Sequence, residues 1–380
     1  MTRVLTRDEA RRHLVQSLGL ARTVERGEAG VRRTLDALRC VQLDPLDAIG
    51  TNADLVMLAR VDGIRKGDVF RATLPRHAFE HFAKERCLLP ARAFPQYRDR
   101  ALETPWWRLG ERLARVPSSV LDEVEREVAE RGPIATSALT DRGRVEPLDW
   151  QGWKGTGRMT TMALEILWTR CRVVVAGRTA GGEKLYDVPA RALPDHYDAP
   201  AQDFERWALL ERVAAAGLLA RAGGPHWSML HGVRTSGLPD ALIEDGALEE
   251  VRVEGSRRPY LALAGLPAPR RRDDGRMRIL GPLDPLLWDR KLVRHVFGFD
   301  YVWEVYKPAS ERRFGWYVCP LLHEGQLVGR LEARIRADAL VVQKIWREPG
   351  RALDEDALDA ALERHARACG ADVVRRARRR

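Results

Sequence analysis

Between residues 117 and 187 the chain changes periodicity in an order that few folds can absorb. Pro117-Ser118 opens a helix running to Arg131, Gly132-Pro133-Ile134 reads as a short strand, and 136–140 starts a second helix. Residues 161–170 carry a third helical pattern, and 172–176 and 184–187 read as strands joined by the glycine-bearing turn 177–183. Helix, strand, helix, helix and a strand hairpin is the order of a winged helix, a variant of the helix-turn-helix. The order recurs downstream. Residues 203–216, 227–231 and 238–243 are helical, and 248–254 pairs with 260–264 across Gly255-Ser256-Arg257-Arg258, with Val251 and Val253 alternating against polar neighbours. Two such modules make a third credible at the N-terminus. There Thr6 and Glu9 stand at capping-box spacing before 10–18, residues 30–39 are helical, and Thr51-Asn52 caps 53–61.

Residues 75–89 also scan as helix, with Phe79 and Phe82 on one face. The Pro-, Arg- and Asp-rich segment 267–274 reads as a linker. Beyond it, 301–306, 316–322, 326–336 and 340–346 alternate between turns as an antiparallel sheet or small barrel, and 353–369 is a closing amphipathic helix. The expected fold is α+β: tandem winged-helix (helix-turn-helix) modules with a small antiparallel β-barrel. The expected domains are 1–115 with the strand at 41–44, winged helices at 116–198 and 199–266, the β domain at 275–350, and a C-terminal helix and basic tail at 351–380.

At 380 residues the chain can bury several cores. Lys and Arg outnumber Asp and Glu by 64 to 54, a formal charge of +10, which favours a polyanionic partner. Five dispersed cysteines (Cys40, Cys87, Cys171, Cys319, Cys369) form no C-x-x-C pair, so neither a disulfide framework nor a thiolate zinc site is indicated, and a reducing cytoplasm suits them. No long apolar run or signal-like start argues for a membrane. Phosphate-binding P-loop and G-x-S-x-G hydrolase motifs are absent. His77-Ala-Phe-Glu80-His81 matches H-x-x-E-H, which on a helix would bring two imidazoles to one face, but no acidic third ligand stands out, so no metal or cofactor is expected.

The stretch Val41-Gln42-Leu43-Asp44-Pro45 carries the candidate chemistry. Its alternation is that of a strand with one polar face, placing the Cα atoms of Gln42 and Asp44 about 6.5 Å apart. A carboxylate and a carboxamide side by side can hold and activate one water molecule. The same spacing also suits a half-exposed strand whose Asp begins a turn. Lys154 and Arg158 flank the glycines at 152, 155 and 157 ahead of a helix, a suitable phosphate seat or an ordinary loop entry. Arg257 and Arg258 sit on the downstream hairpin turn, and Lys307, Arg312 and Arg313 lie between the first two strands of the β domain. These are the candidate DNA contacts; each also suits plain solvation. The cluster Arg375-Arg376-Ala377-Arg378-Arg379-Arg380 reads as a non-specific polyanion contact.

Taken together, these stretches resemble the winged-helix DNA glycosylases of the AlkX/YcaQ type, relatives of the AlkZ self-resistance glycosylase, over nearly the whole chain. The resemblance rests on Val41-Gln-Leu-Asp-Pro45 with Asn52-Ala-Asp-Leu55, on Phe79-Glu80 and Leu88-Leu-Pro90, and on Leu185-Tyr-Asp187 with Leu193-Pro194. Its most specific part is Gly281-Pro-Leu-Asp284-Pro285-Leu-Leu-Trp288-Asp289-Arg290 running to Phe297-Gly-Phe-Asp300-Tyr301. It implies three winged helices in a concave arrangement with a small barrel, and a catalytic Gln-apolar-Asp, here Gln42-Leu43-Asp44. One departure is Lys84-Glu85-Arg86-Cys87, where the family reads like His-Glu-Ala-Ser.

The chemistry implied is hydrolysis of the N-glycosidic bond of alkylated purines, N7-alkylguanine above all, including interstrand crosslinks, in double-stranded DNA. The expected enzyme is a cofactor-free, monofunctional glycosylase, monomeric, cytoplasmic and nucleoid-associated, with no membrane partner. The rival reading is a non-catalytic winged-helix regulator of transcription, against which the Gln42 and Asp44 pair stands.

Overall fold

The computed structural model describes residues 3–100, 108–148, 156–267 and 273–376 of a mixed α+β chain. It divides into two compact units: Met1–Val69 with Phe82–Cys87 and Glu205–Arg380, and Phe70–His81 with Leu88–Phe204.

In the first unit, Arg3–Leu5 lies parallel to Leu248–Val253, which pairs antiparallel with Pro259–Leu263, itself paired with Leu219–Ala220. The 248–254 and 260–264 hairpin forms as its alternation predicts, with Val251 and Val253 buried. Helix Arg7–Ser17 starts at Thr6, whose side chain accepts from Glu9 N–H while the Glu9 carboxylate accepts from Thr6 N–H. Five strands make a curled half-barrel in the order Arg278–Ile279, Val318–His323, Gln326–Arg336, Ala339–Arg347, Val373–Arg376.

Two features differ from the barrel read in the sequence. The last strand runs parallel to its neighbour, because helix Glu355–Ala368 returns the chain to the same end, and the sheet stays open at its outer strands. Arg375 and Arg376 of the terminal cluster belong to that strand. Residues 301–306 form no strand; Tyr301 is buried and donates its hydroxyl to Val318 O at 2.7 Å, so side-chain anchoring replaces a ladder. The half-barrel core of Leu321, Leu331, Leu340, Leu358 and Leu362 also takes in Ile49 and Leu55, tying the 41–58 segment to this sheet.

The second unit contains helix Ser118–Arg131, strand Ile134–Ala135, helix Met159–Thr169 and strands Val174–Arg178 and Lys184–Asp187, in the sheet order Val174–Arg178, Lys184–Asp187, Ile134–Ala135. The helix read at 136–140 is a single 3-10 turn, Thr136–Ala138. The helix read over 75–89 is instead two strands, Ala78–Phe82 and Arg86–Pro90. Phe79 and Phe82 sit at helical spacing, but Ala78, Phe79, Glu80 and His81 are all buried, so no single face defines the element and tertiary packing decides it. Four residues of extended chain span about 13 Å, which separates His77 from His81 beyond the reach of one metal ion. Glu80 pairs with Arg178 and, at 3.0 Å, with Lys184; His81 Nε2 lies 3.1 Å from Thr169 O, its ring against Tyr97 and Trp168.

Candidate active site

The candidate site grows from helix Gly27–Leu38, which Arg39 ends in a left-handed conformation (φ 67°) before the strand Val41–Gln42. Leu43 N–H donates to Arg86 O at 2.8 Å, and the regular strand stops there. Asp44 therefore lies just past the strand, and Pro45 has no N–H to continue a ladder. The Asp44 carboxylate accepts from Leu46 N–H at 2.9 Å, turning the chain on its own side chain. The turn reading of Asp44 is the one that forms, and the shared strand face expected of Gln42 and Asp44 does not, because the strand ends at Gln42 and the Asp44 carboxylate turns back onto Leu46 N–H.

Gln42 is buried and held at two atoms. Its main-chain oxygen accepts from Asn52 Nδ2 at 2.8 Å, and its Oε1 accepts from Lys84 Nζ at 3.1 Å. Asn52 opens helix Asn52–Leu58 behind a Thr51/Asp54 capping box, and its Oδ1 accepts from Leu283 N–H at 3.0 Å. Gly281 permits that approach, since a Cβ there would stand 2.5 Å from Asn52 Oδ1. Asp284 of the same motif is buried against Arg60 in a two-pronged pair of 2.7 and 3.0 Å, while Arg60 Nε donates to Leu18 O. The Gly281-Pro-Leu-Asp284 run is thus the clasp that seats Gln42.

Burial raises the Asp44 carboxyl above the usual carboxylate range, partly offset by the Leu46 N–H. Burial likewise lowers the Lys84 ammonium. The buried Tyr317 hydroxyl is pushed up by burial, then by Cys319 and Asp44, and it finds no hydrogen-bond partner among the described residues. Its ring meets Trp303 edge-on at 6.2 Å, and Trp303 meets the exposed Tyr306 at 5.7 Å. The Asp44 carboxylate is near enough to the Tyr317 hydroxyl to act on it through its charge. The arrangement offers a carboxylate of raised basicity and an amide on Gln42.

Residues 35–368 match the AlkZ-like family, whose description is DNA glycosylase AlkZ-like. The chain belongs to the AlkZ-like DNA glycosylase family. The solved structure of the Streptomyces sahachiroi DNA glycosylase AlkZ matches it with a TM-score of 0.61 at 18% identity, covering 99% of this chain and 100% of that one, a likeness of fold.

The basic candidates of this AlkZ-like glycosylase differ in how they are engaged. Lys154 lies outside the described residues. Arg158 donates to Thr136 O at 3.1 Å and Leu139 O at 2.8 Å, so its guanidinium ties a loop of the second unit. Arg258 pairs with Asp289 at 3.1 Å, whereas Arg257 beside it is exposed. Arg312 Nε donates to Lys307 O at 2.8 Å, and Arg313 is exposed with its guanidinium 4.9 Å from the Phe314 ring. Both arginines lie on a loop, not on the turn of a hairpin, because 301–306 is not a strand.

Among the described residues no three or more His, Cys, Asp or Glu side chains cluster as a metal would need, and no helix is long and apolar enough to cross a membrane. The spacing of Gln42 and Asp44 was readable in the chain, but Asn52, Lys84 and Tyr317 were not assigned to the site. Asn52 lay inside a motif, and only the Lys84 departure marked its segment.

Proposed function

We propose that this glycosylase hydrolyses the N-glycosidic bond of N7-alkylated purines in double-stranded DNA, including guanines tied into interstrand crosslinks, with Asp44 as base and Gln42 as its partner. The observation that carries the reading is the half-buried, burial-shifted Asp44 carboxylate two residues from an amide fixed by Asn52 and Lys84. N7-alkylguanine carries a positive charge, so it leaves as a neutral base when the C1′–N9 bond breaks and takes its electron pair, without a general acid. The sugar then becomes oxocarbenium-like. An ionised Asp44 stabilises that cation and accepts a proton from the water whose oxygen bonds to C1′.

The product is an abasic site in an intact strand, with no metal or nucleotide cofactor in the scheme. A crosslinked base is tethered to the other strand and cannot swing into a deep pocket as ordinary base flipping requires, so an open site suits it. We further read the recurring helix and hairpin orders as tandem winged-helix modules in a concave arrangement, acting as a monomer on cytoplasmic, nucleoid-associated DNA.

The test is single-turnover release of 7-methylguanine from methylated duplex, with crosslinked and monoadducted duplexes compared in parallel. Asp44→Asn keeps the shape and removes the charge, so it should lose on the order of 10²–10³ in rate while still binding DNA. A folded Asp44→Asn protein excising at the wild-type rate removes this site from consideration.

A further inference from the structure

The Lys84 contact assigns a direction to the Gln42 amide. An ammonium carries three donors and no acceptor. Lys84 Nζ stands 3.1 Å from Gln42 Oε1, so that oxygen must face the lysine and the Nε2 hydrogens must point the other way. Both side chains are buried, and the contact spans 42 residues of sequence. Lys84 is itself placed: its Nζ lies 5.5 Å from the centre of the Trp288 ring, and the Trp288 indole N–H donates to Leu283 O at 3.1 Å, next to the Leu283 N–H held by Asn52. Two separate restraints on Gln42 thus lead back to the one 281–288 segment.

We infer that Lys84 is a positioning residue which locks the Gln42 amide with its hydrogens toward the reacting water, so that Gln42 donates to the water oxygen and Asp44 alone accepts its proton. The inference rests on the proposed roles of Gln42 and Asp44. A free carboxamide can flip and present either an acceptor or a donor. Presented as an acceptor, it would take one of the water's two hydrogens, leave only the other for Asp44, and no longer hold the water by its oxygen. A donated hydrogen bond at Oε1 also polarises the amide and strengthens donation from Nε2. The charged and titratable groups facing Lys84 are Glu85, Cys87, Cys40 and Arg212, and burial favours loss of its proton. A neutral amine could accept from the amide and release the lock, so the arrangement belongs to the protonated lysine.

The experiment is single-turnover release of 7-methylguanine from methylated duplex by the full chain carrying Lys84→Met, Lys84→Arg, Gln42→Ala and the double change Lys84→Met/Gln42→Ala, with duplex binding and melting curves beside it. Lys84→Met should slow excision on the order of 10- to 100-fold, the scale of a misplaced reacting partner, with binding unchanged. In the Gln42→Ala background the same change should cost nothing further, since there is no amide left to orient. Lys84→Arg, a donor that stays charged, should restore most of the rate and should lack the alkaline fall expected of the wild type as its lysine deprotonates.

Additive losses in the double variant, or a wild-type rate for Lys84→Met beside a slow Gln42→Ala, overturn the role of Lys84 and leave the site standing. A wild-type rate for Gln42→Ala sinks the site reading itself. Should Lys84→Met not fold, the pH profiles of wild type and Lys84→Arg decide the matter, and an alkaline limb shared by both overturns the inference.

Discussion

Asp44 binds its proton more tightly in the folded chain than an unfolded Asp does, because burial disfavours its charge. Excision that depends on the ionised form should therefore rise with pH through a midpoint above the usual carboxylate range, and a rate profile from pH 4 to 8 checks it. The sign for stability runs the other way from catalysis. A raised folded pKa means the ionised group opposes folding at neutral pH, and the opposition disappears as pH falls below the unfolded value near 3.9. Asp44→Asn keeps the acceptor for Leu46 N–H and should melt at or above the wild-type temperature at pH 7, the gap closing in acid. Asn52 is the opposite case, a buried residue whose worth is structural. Asn52→Ala leaves Gln42 O and Leu283 N–H without their partner, which should destabilise the fold by about 2–4 kcal/mol in denaturant titrations. It should also slow excision, since the strand carrying Gln42 loses its tether.

The 302–314 loop is built around Glu304, whose carboxylate accepts from Phe314 N–H at 2.8 Å, Arg313 N–H at 3.1 Å and Lys307 Nζ at 3.0 Å. Burial works against ionisation there, yet these donors hold the carboxyl at about 2. Its contribution to stability is present above the unfolded glutamate value and is lost as pH falls toward that figure. Glu304→Gln should loosen the loop and show the largest melting difference from wild type at neutral pH, shrinking in acid. The loop presents exposed Tyr306, at 82% accessibility, and exposed Arg313, with Arg312 half-buried beside it. Replacing both arginines by alanine should weaken duplex binding severalfold; melting should change little through the exposed Arg313 and by at most about 1 kcal/mol through the Arg312 bond to Lys307 O.

Elements whose signal is local were legible in the chain: the Thr6 and Thr51 caps, the 248–263 hairpin and helix Met159–Thr169 all form near their expected bounds. Those decided by distant partners were not. The 75–89 segment became strands through burial on both faces, 301–306 became a loop through the anchors of Tyr301 and Glu304, and Asp44 left its strand through a bond to its own backbone. The site shows the same division. Gln42 and Asp44 are two residues apart and readable, whereas the Lys84 and Leu283 contacts close across 42 and 231 residues.

At the scale of the whole molecule, the +10 charge is spread along the chain and is not gathered into one reading head, so binding to unrelated duplexes should be similar and should weaken at least about tenfold between 50 and 200 mM salt. A single preferred palindrome with a shallow salt slope would instead describe a sequence-reading regulator. The first unit closes over a long span of sequence: Arg3–Leu5 waits for Val251–Val253, Asn52 for Leu283, Arg60 for Asp284, and Ile49 O for the His365 ring. A ribosome has therefore finished Gln42, Asp44 and Lys84 long before it supplies the 281–288 segment that holds Asn52 and faces Lys84. The order of synthesis thus leaves the geometry around the proposed site unfinished until the last third of the chain has folded back over the first.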